Sequence, residues 1–189
     1  MTQHFVAKTL NAIRLDKANP AQKEVLETAL KQVGFIPNMY ANMANVPGVL
    51  TTYLHGYTAF RQQSGLSPAE QEVVFLAISQ QNDCTYCMAA HSMIADKVSG
   101  VPAPVLAAIR SNQPIPDTRL QALYSFAQEL VKTSGKPSQA VAAAFLSAGY
   151  TETTALQIIL ATAVKALSNY TNHLFQTVVD DPFAAYKVE

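Results

Sequence analysis

The chain has 189 residues with 13 basic and 13 acidic side chains, so its formal net charge is zero. This length fits one domain, and we treat residues 1–189 as a single unit. The neutral balance argues against a nucleic-acid-binding protein, which would carry a basic stripe on its surface. Charged residues make up only 14% of the chain, against about 25% in a typical protein. We therefore expect another copy of the chain to cover part of the surface.

The N-terminal sequence lacks the basic segment and apolar run that form a secretory signal. Residues 32–60 carry no charge, but Gly34, Pro37 and Pro47 interrupt this stretch. A membrane helix needs about 20 continuous apolar residues. We therefore expect buried helices joined by a turn in this stretch, no association with a membrane, and a cytoplasmic location.

Apolar residues recur at helical spacing along the chain, and alternating strand patterns are missing. The predicted helices cover residues 22–33, 47–63, 68–81, 84–98, 102–111, 118–134, 138–147 and 152–179. The clearest start signal is Ser67, Pro68 and Glu70, which predicts a capping box. A weak internal echo aligns residues 66–87 with 150–171 and indicates a duplicated helical hairpin. The sequence therefore predicts an all-α fold.

The chain has two cysteines, Cys84 and Cys87, at C-x-x-C spacing. Such a pair can bind a metal, form a redox disulfide or remain inert. Structural zinc requires four ligands, and the sequence contains no second C-x-x-C or H-x3-H pair. The histidines available as further ligands are His4, His55, His91 and His173. Thioredoxin-like chemistry normally occurs in a strand–helix setting, and no strand is predicted here.

His91 follows Cys87 by four residues and Cys84 by seven, so the three side chains share one face of a helix. Both cysteines would occupy its first turn, where free backbone N–H groups and the helix dipole stabilise a thiolate. A nearby imidazole can accept the thiol proton, and a lowered thiol pKa makes cysteine a nucleophile. The adjacent carboxylate of Asp83 would raise a thiol pKa, and we predict that it caps the helix instead.

Glu72 lies twelve residues before Cys84, on the preceding predicted helix. A tight turn between the two helices returns that face beside the next helix, where a carboxylate can orient His91. Taken singly, Glu72 fits a solvated acid of a first helical turn, as Glu70 does, and His91 fits a packed or surface histidine. The combination E-x11-C-x2-C-x3-H is more specific than any of its parts.

This combination of residues resembles the signature of the alkyl hydroperoxidase D and carboxymuconolactone decarboxylase superfamily, and is closest to its peroxidase-related branch. The motif core covers residues 66–98, and the sequences of residues 35–38 and 66–68 also fit. The resemblance implies an all-α, AhpD-like helical bundle that assembles as a trimer or hexamer. It also implies a thiol-dependent peroxidase that reduces hydrogen peroxide or organic hydroperoxides in antioxidant defence.

Carried over residue by residue, the resemblance makes Cys87 the peroxidatic cysteine and Cys84 the resolving one, with His91 and Glu72 as a proton relay. The resulting disulfide would be reduced by a dithiol of thioredoxin or dihydrolipoyl type, and no cofactor or metal is required. The chain departs from the alkyl hydroperoxidase at Tyr86, where that enzyme has a histidine. A phenol with a pKa of about 10 is no base near neutral pH, but it can donate a hydrogen bond to a peroxide.

Four alternatives stay open at this point. The thiol pair can act as a redox sensor, or it can bind a metal together with His91. The chain can also be a structural helical subunit with inert thiols. A decarboxylase-like member that acts on a small lactone fits less well, because the thiol pair separates the peroxidase branch from the decarboxylases.

Five further polar or aromatic residues attract a functional interpretation. Tyr170, Asn172 and His173 lie near the internal echo, and we interpret them as packing and interface residues. His55 and Tyr57 lie in the charge-free stretch, where core or interface burial is favoured over a role in a substrate pocket.

Overall fold

The structure is a computed structural model that describes residue 7 and residues 9–188. These residues form nine α-helices and two short 3-10 helices, without a strand among them, which confirms the predicted all-α fold. The α-helices are α1 (Pro20–Val33), α2 (Asn38–Met43), α3 (Pro47–Gln63), α4 (Pro68–Gln81), α5 (Thr85–Lys97), α6 (Ala103–Arg110), α7 (Thr118–Lys132), α8 (Gln139–Ser147) and α9 (Glu152–Phe175). The 3-10 helices are Leu15–Lys17 and Asp181–Tyr186. His4, one of the predicted metal-ligand candidates, lies outside the described residues.

Capping residues fix several helix ends, and the predicted capping box of α4 is confirmed. The Ser67 hydroxyl accepts the Glu70 backbone N–H, and the Glu70 carboxylate accepts the Ser67 backbone N–H at 2.9 Å, which completes the capping box of α4. Asp117 caps α7 by accepting the backbone N–H of Leu120 at 2.9 Å. Helix α1 ends at Gly34, whose φ of 85° suits a residue without a Cβ.

Two boundaries differ from the prediction. Helix α2 begins at Asn38, between the predicted helices 22–33 and 47–63, where the sequence predicts no helix. Residues 39–43 are all buried, so α2 has no polar face that would produce a helical period. Helix α9 ends at Phe175, four residues early, because Gln176 adopts a left-handed conformation with φ of 48°.

Helix α4 lies at the centre of the molecule and packs against α5, α7 and α9. Residues 73–79 have no solvent exposure, as expected of a helix that is apolar all round. Glu72 directly precedes this run, and its side chain is fully buried as well. The central position of α4 thus carries a carboxylate into the core.

Helices α5 and α9 bring the remaining site residues to α4. The turn at Asn82 and Asp83 joins α4 to α5, and the Cys84 N–H donates to the Ser79 carbonyl at 2.9 Å. Helix α9 packs against α3, α4 and α5 as one continuous helix, although the sequence echo aligns it with the α4–α5 hairpin. Within the described residues, no helix has both the length and the apolarity needed to cross a membrane.

The residues after α9 fold back over α5 as a C-terminal strap, residues 177–186. The Asp180 carboxylate accepts the backbone N–H of Asn38 at 3.0 Å and the Tyr86 hydroxyl at 2.6 Å. The Phe183 ring contacts Phe35 and the Tyr86 ring, with centroids 6.1 and 6.2 Å apart. The strap therefore closes one side of the region around the cysteines.

Candidate active site

Both cysteines lie at the start of α5 as free thiols. Cys84 is the N-cap residue, and Cys87 lies in the first turn. The predicted cap by Asp83 is wrong, because no side chain caps this helix end. Asp83 instead adopts a left-handed conformation with φ of 57°, and its N–H donates to the Gln80 carbonyl at the end of α4.

The Cys87 sulfur accepts hydrogen bonds from two amides of α9. Asn169 Nδ2 lies 3.0 Å from Cys87 Sγ, and Asn172 Nδ2 lies 3.2 Å from it. Asn172 Nδ2 is also 3.8 Å from Cys84 Sγ. Asn172 is thus a buried packing residue, as predicted, and its amide contacts both sulfurs.

The surroundings of the two thiols shift their pKa values in opposite directions. Burial by itself raises the pKa of Cys87, but a hydrogen bond from the Cys84 thiol and the positive charge of Lys165 outweigh burial, and His91 and Asn172 lower the pKa further. The pKa of Cys87 consequently lies well below its ordinary value. The same hydrogen bond, followed by burial, raises the pKa of Cys84. Within this pair, the surroundings therefore favour the thiolate at Cys87 and the thiol at Cys84.

Glu72 and His91 meet in the core, as expected from a tight turn between their helices. Glu72 Oε2 lies 2.8 Å from His91 Nδ1, and the other carboxylate oxygen accepts from the Arg61 guanidinium. Burial raises the pKa of Glu72, but His91 and Arg61 outweigh it, and the pKa lies below the ordinary value. The solvated alternative for Glu72 is wrong, because the side chain has no exposure.

His91 is neutral near neutral pH. Burial and the charge of Lys165 lower its pKa, and the opposing effect of Glu72 is smaller. Because a charged carboxylate can only accept hydrogen bonds, the His91 Nδ1 carries the proton and Nε2 is left as an acceptor. The His91–Glu72 pair can thus accept a proton at Nε2 and stabilise the resulting imidazolium. The catalytic roles of both residues remain predictions.

Arg61 is a site residue that the sequence analysis missed. It donates to the Tyr57 hydroxyl at 2.7 Å and to Gln71 Oε1 at 3.1 Å. Its guanidinium carbon lies 4.8 Å from the centroid of the Phe75 ring, in a cation–π arrangement. The available signal was its position as the first charge after the uncharged stretch 32–60.

A cavity of about 680 Å³ connects these groups. Its wall is largely apolar and aromatic. Among its lining residues are Met39, Tyr40, Tyr53, Tyr57, Arg61, Tyr86, Cys87, His91, Lys165 and Phe183. Tyr57 is partly buried against the core, as predicted, and also lines this cavity. The predicted core burial of His55 is wrong, because His55 is exposed and lines a separate groove.

Lys165 projects from α9 into the same cavity and is only 1% exposed. Its ammonium lies 5.6 Å from the centroid of the Phe75 ring. Of the carboxylates that the structure describes, none forms an ion pair with it. The sequence analysis missed Lys165, although it is the only Lys or Arg in the 24 residues of α9.

Tyr86 does not direct its hydroxyl toward a substrate as the sequence suggested. The hydroxyl donates to Asp180 of the C-terminal strap. Burial, followed by this hydrogen bond, raises the pKa of Tyr86. The ring lines the cavity, so Tyr86 contributes an aromatic wall rather than a proton.

The described part of the chain contains no group of three or more His, Cys, Asp or Glu side chains arranged to hold a metal ion. Cys84, Cys87 and His91 therefore do not form a ready ligand set. The metal-binding alternative receives no support from this geometry.

The comparison with known protein families points to the same part of the chain. The model of the carboxymuconolactone decarboxylase family matches residues 47–129, which contain all four predicted site residues. No protein with a curated description matches the sequence.

Several solved structures share the fold over nearly the whole chain. A peroxidase-related protein with an alkylhydroperoxidase AhpD core, from Ralstonia eutropha JMP134, is 25% identical with a TM-score of 0.78, covering 92% of this chain and 93% of that chain. A peroxidase-related protein from Silicibacter sp. TM1040 is 22% identical with a TM-score of 0.72, covering 93% and 95%. The debrominase Bmp8, in a complex with 2,3,4-tribromopyrrole, is 16% identical with a TM-score of 0.77, covering 94% and 95%.

Fold and site together define a helical-bundle protein, and the similar solved structures of this fold include peroxidase-related proteins and a debrominase. Residues 47–129 match the carboxymuconolactone decarboxylase family, and the chain as a whole has the all-α fold of AhpD-like proteins.

Proposed function

We propose that this protein is a thiol-dependent peroxidase in which Cys87 attacks the peroxide and Cys84 resolves the product. One observation carries the proposal. Cys87, whose pKa is lowered by its surroundings, lines a cavity together with His91, and His91 is hydrogen-bonded to the buried carboxylate of Glu72. The similarity to peroxidase-related proteins of the same fold supports this reaction class.

The first step breaks the O–O bond. The Cys87 thiolate attacks one peroxide oxygen, and the alkoxide or hydroxide that leaves takes up one proton. The products are a Cys87 sulfenic acid and an alcohol or water. The Cys84 thiol then condenses with the sulfenic acid to form the Cys84–Cys87 disulfide and releases water.

The His91–Glu72 pair handles the proton of these steps. The neutral His91 can take up a proton from solvent at Nε2 and deliver it to the leaving oxygen. The carboxylate of Glu72 stabilises the imidazolium in the interval. An external dithiol then reduces the disulfide by exchange and is itself oxidised to a disulfide. Thioredoxin-type and dihydrolipoyl-type dithiols both meet this requirement.

A peroxide-consumption assay with a dithiol donor tests the proposal. We expect many turnovers per chain, loss of turnover in Cys87→Ser and Cys84→Ser, and about a 10²-fold or greater loss in His91→Gln, the usual size of an acid–base contribution. His55→Gln is the matched control, since His55 is exposed outside the cavity, and it should retain the wild-type rate. Unchanged rates in both cysteine variants would refute the proposed thiol peroxidase mechanism. A single stoichiometric oxidation would favour the redox sensor.

The size and lining of the cavity favour a second candidate, the reductive dehalogenation of an aromatic compound. Hydrogen peroxide needs little of a volume of about 680 Å³, whereas aromatic walls suit a ring. Attack of the Cys87 thiolate on a ring bromine, with protonation of the ring carbon, gives a sulfenyl bromide. Cys84 then displaces bromide and forms the same disulfide. The similarity to a debrominase of this fold is consistent with this chemistry.

Bromide release separates the two candidates. With 2,3,4-tribromopyrrole and a dithiol, the dehalogenase predicts one bromide ion per disulfide formed and little turnover of hydroperoxides. The peroxidase predicts the opposite preference. Both assays use the same purified protein and the same cysteine variants.

We further propose that the chain forms a homo-oligomer through α9. Its outer face exposes a set of large apolar side chains, Leu156, Ile159, Tyr170 and Leu174. An apolar face of this kind on a helix with few charges is typical of a surface that a second copy covers. Light scattering coupled to size exclusion should show a trimer or hexamer, and a monomer at micromolar concentration would contradict the proposal.

A further inference from the structure

One face of α9 points three polar side chains toward the Cys87 sulfur. Lys165, Asn169 and Asn172 are spaced by four and three residues, so they lie on one side of the helix. The two amides donate to Cys87 Sγ at 3.0 and 3.2 Å, and the Lys165 ammonium lines the same cavity as Cys87. The predicted proton relay, by contrast, comes from α4 and α5.

The orientation of the Asn172 amide indicates that this face of α9 favours a negatively charged sulfur. Its Nδ2 contacts three sulfur atoms, those of Cys87, Cys84 and Met39, the last at 3.2 Å. Its Oδ1 is buried and has no hydrogen-bond partner among the described residues. A buried acceptor left unpaired is costly, so the gain must come from the N–H groups. Donors of this kind are suited to a negatively charged sulfur.

The other charges in the cavity also indicate a negative charge on the Cys87 sulfur. The titratable or charged groups that line the cavity or adjoin Cys87 are Tyr40 from α2, Tyr53, Tyr57 and Arg61 from α3, Cys84, Tyr86 and His91 from α5, and Lys165 from α9. Glu72 from α4 lies behind them, in contact with His91 and Arg61. Glu72 is neutralised by Arg61, and burial keeps Tyr53 and His91 uncharged. A buried ammonium requires a counter-charge. Within the described residues, the Cys87 thiolate is the anion left to supply it.

We propose that Lys165, Asn169 and Asn172 form a thiolate-binding face that stabilises the reduced site relative to the disulfide. Asn169 and Asn172 act directly on the reacting sulfur, and Lys165 supplies the counter-charge. Oxidation to the Cys84–Cys87 disulfide removes the negative charge and leaves the buried Lys165 ammonium without a counter-charge. The disulfide is therefore a strong oxidant that dithiols reduce readily.

The proton balance of reduction follows from this arrangement. Two electrons and one proton convert the disulfide to the Cys84 thiol and the Cys87 thiolate, whereas an ordinary pair would take up two protons. With a fully protonated dithiol as the reductant, the reaction therefore releases one proton, and its equilibrium constant should rise tenfold per pH unit. A pair that ends as two thiols would give a constant independent of pH. The inference rests on the proposed function only in that Cys87 and Cys84 cycle between dithiol and disulfide.

The experiment measures this equilibrium with dithiothreitol from pH 5.5 to 7.5, and the pKa of Cys87 from its thiolate absorbance. Lys165→Met keeps an unbranched side chain that is one atom shorter and removes the charge. We expect it to raise the pKa of Cys87 by about one unit or more and to lower the equilibrium constant about tenfold or more, which corresponds to about 30 mV for a two-electron couple. Lys132→Met, at an exposed lysine of α7, is the matched control and should equal the wild type.

Asn172→Leu should shift both quantities in the same direction by less. Unchanged values in Lys165→Met, or a wild-type constant that is independent of pH, would overturn the inference. If Lys165→Met does not fold, Lys165→Gln takes its place, and the pH dependence of the wild-type protein decides in any case. No peroxide enters these measurements, so an absence of peroxidase activity and a failure of this inference give separate results.

Discussion

The buried carboxylate of Glu72 provides the sharpest test of how the site is held together. We consider Glu72→Gln, which keeps the shape of the side chain and removes its charge. The carboxylate has no exposure, and its two oxygens serve His91 and Arg61 separately. The amide can accept one hydrogen bond in place of two and leaves the Arg61 guanidinium without a counter-charge.

The expected loss in the free energy of unfolding follows from this geometry. Removing one partner of a buried ion pair costs about 3–5 kcal/mol. The Arg61 side chain is 19% exposed, so water can compensate part of the loss, and we expect about 3 kcal/mol. For a domain of this length that corresponds to a fall in Tm of about 6–12 °C.

Urea unfolding under reducing conditions measures the free energy of unfolding, with the midpoint compared at constant slope. Glu24→Gln is the matched control, because Glu24 is exposed on α1, and it should remain within about 0.5 kcal/mol of the wild type. Arg61→Met completes a double-mutant cycle. We expect the double variant to be less destabilised than the sum of the single variants, since it leaves no charge unpaired.

The sign of the pH dependence gives a further check on Glu72. Its pKa is lower in the folded protein than in the unfolded chain. Its contribution is therefore fully present above the ordinary glutamate pKa of about 4.3 and is lost as the pH falls through the lowered value. The stability difference between wild type and Glu72→Gln should shrink in acid. A cost below about 0.5 kcal/mol at pH 7, or full additivity with Arg61→Met, would refute the reasoning.

Three other predictions concern single positions. Alkylation of Cys87 by iodoacetamide should proceed at an undiminished rate well below pH 8 and fall only below its lowered pKa; a rate that titrates near 8.5 would contradict the thiolate. Ser67→Ala should lose about 1 kcal/mol of unfolding free energy through the α4 cap, and no change would show that the cap is dispensable. Gly56→Ala should lower the free energy of unfolding by about 1–3 kcal/mol, since its new Cβ would lie 2.8 Å from Val164 Cγ2. In the control Gly48→Ala the new Cβ meets no atom within 4 Å, so this variant should be neutral or stabilising. Equal effects of the two substitutions would contradict the close contact between α3 and α9.

The helices themselves were largely predictable, because their signals are local. Ser67 and Asp117 mark helix starts through hydrogen bonds to residues three positions away, and Gly34 ends α1 through its own backbone conformation. Helix α2 was not predictable in this way. It is buried on every side, and a helix without a polar face has no period to detect.

The sequence by itself determined the half of the site that lies on α4 and α5. Glu72, Cys84, Cys87 and His91 fall within twenty residues on two helices joined by a tight turn, so helix geometry alone brings them together. Their resemblance to a known signature led to the same superfamily as the fold. The distance of 2.8 Å between the Glu72 and His91 side chains follows from that local arrangement.

Only the tertiary structure decided the other half. Arg61, Lys165, Asn169 and Asn172 reach the site because α3 and α9 pack against the first two helices, and the α9 residues lie about eighty positions along the chain from Cys87. Spacing along one helix states which side chains share a face, but not which other helix that face meets. That choice depends on the packing of the whole core, which here places an ammonium and two amides against a sulfur.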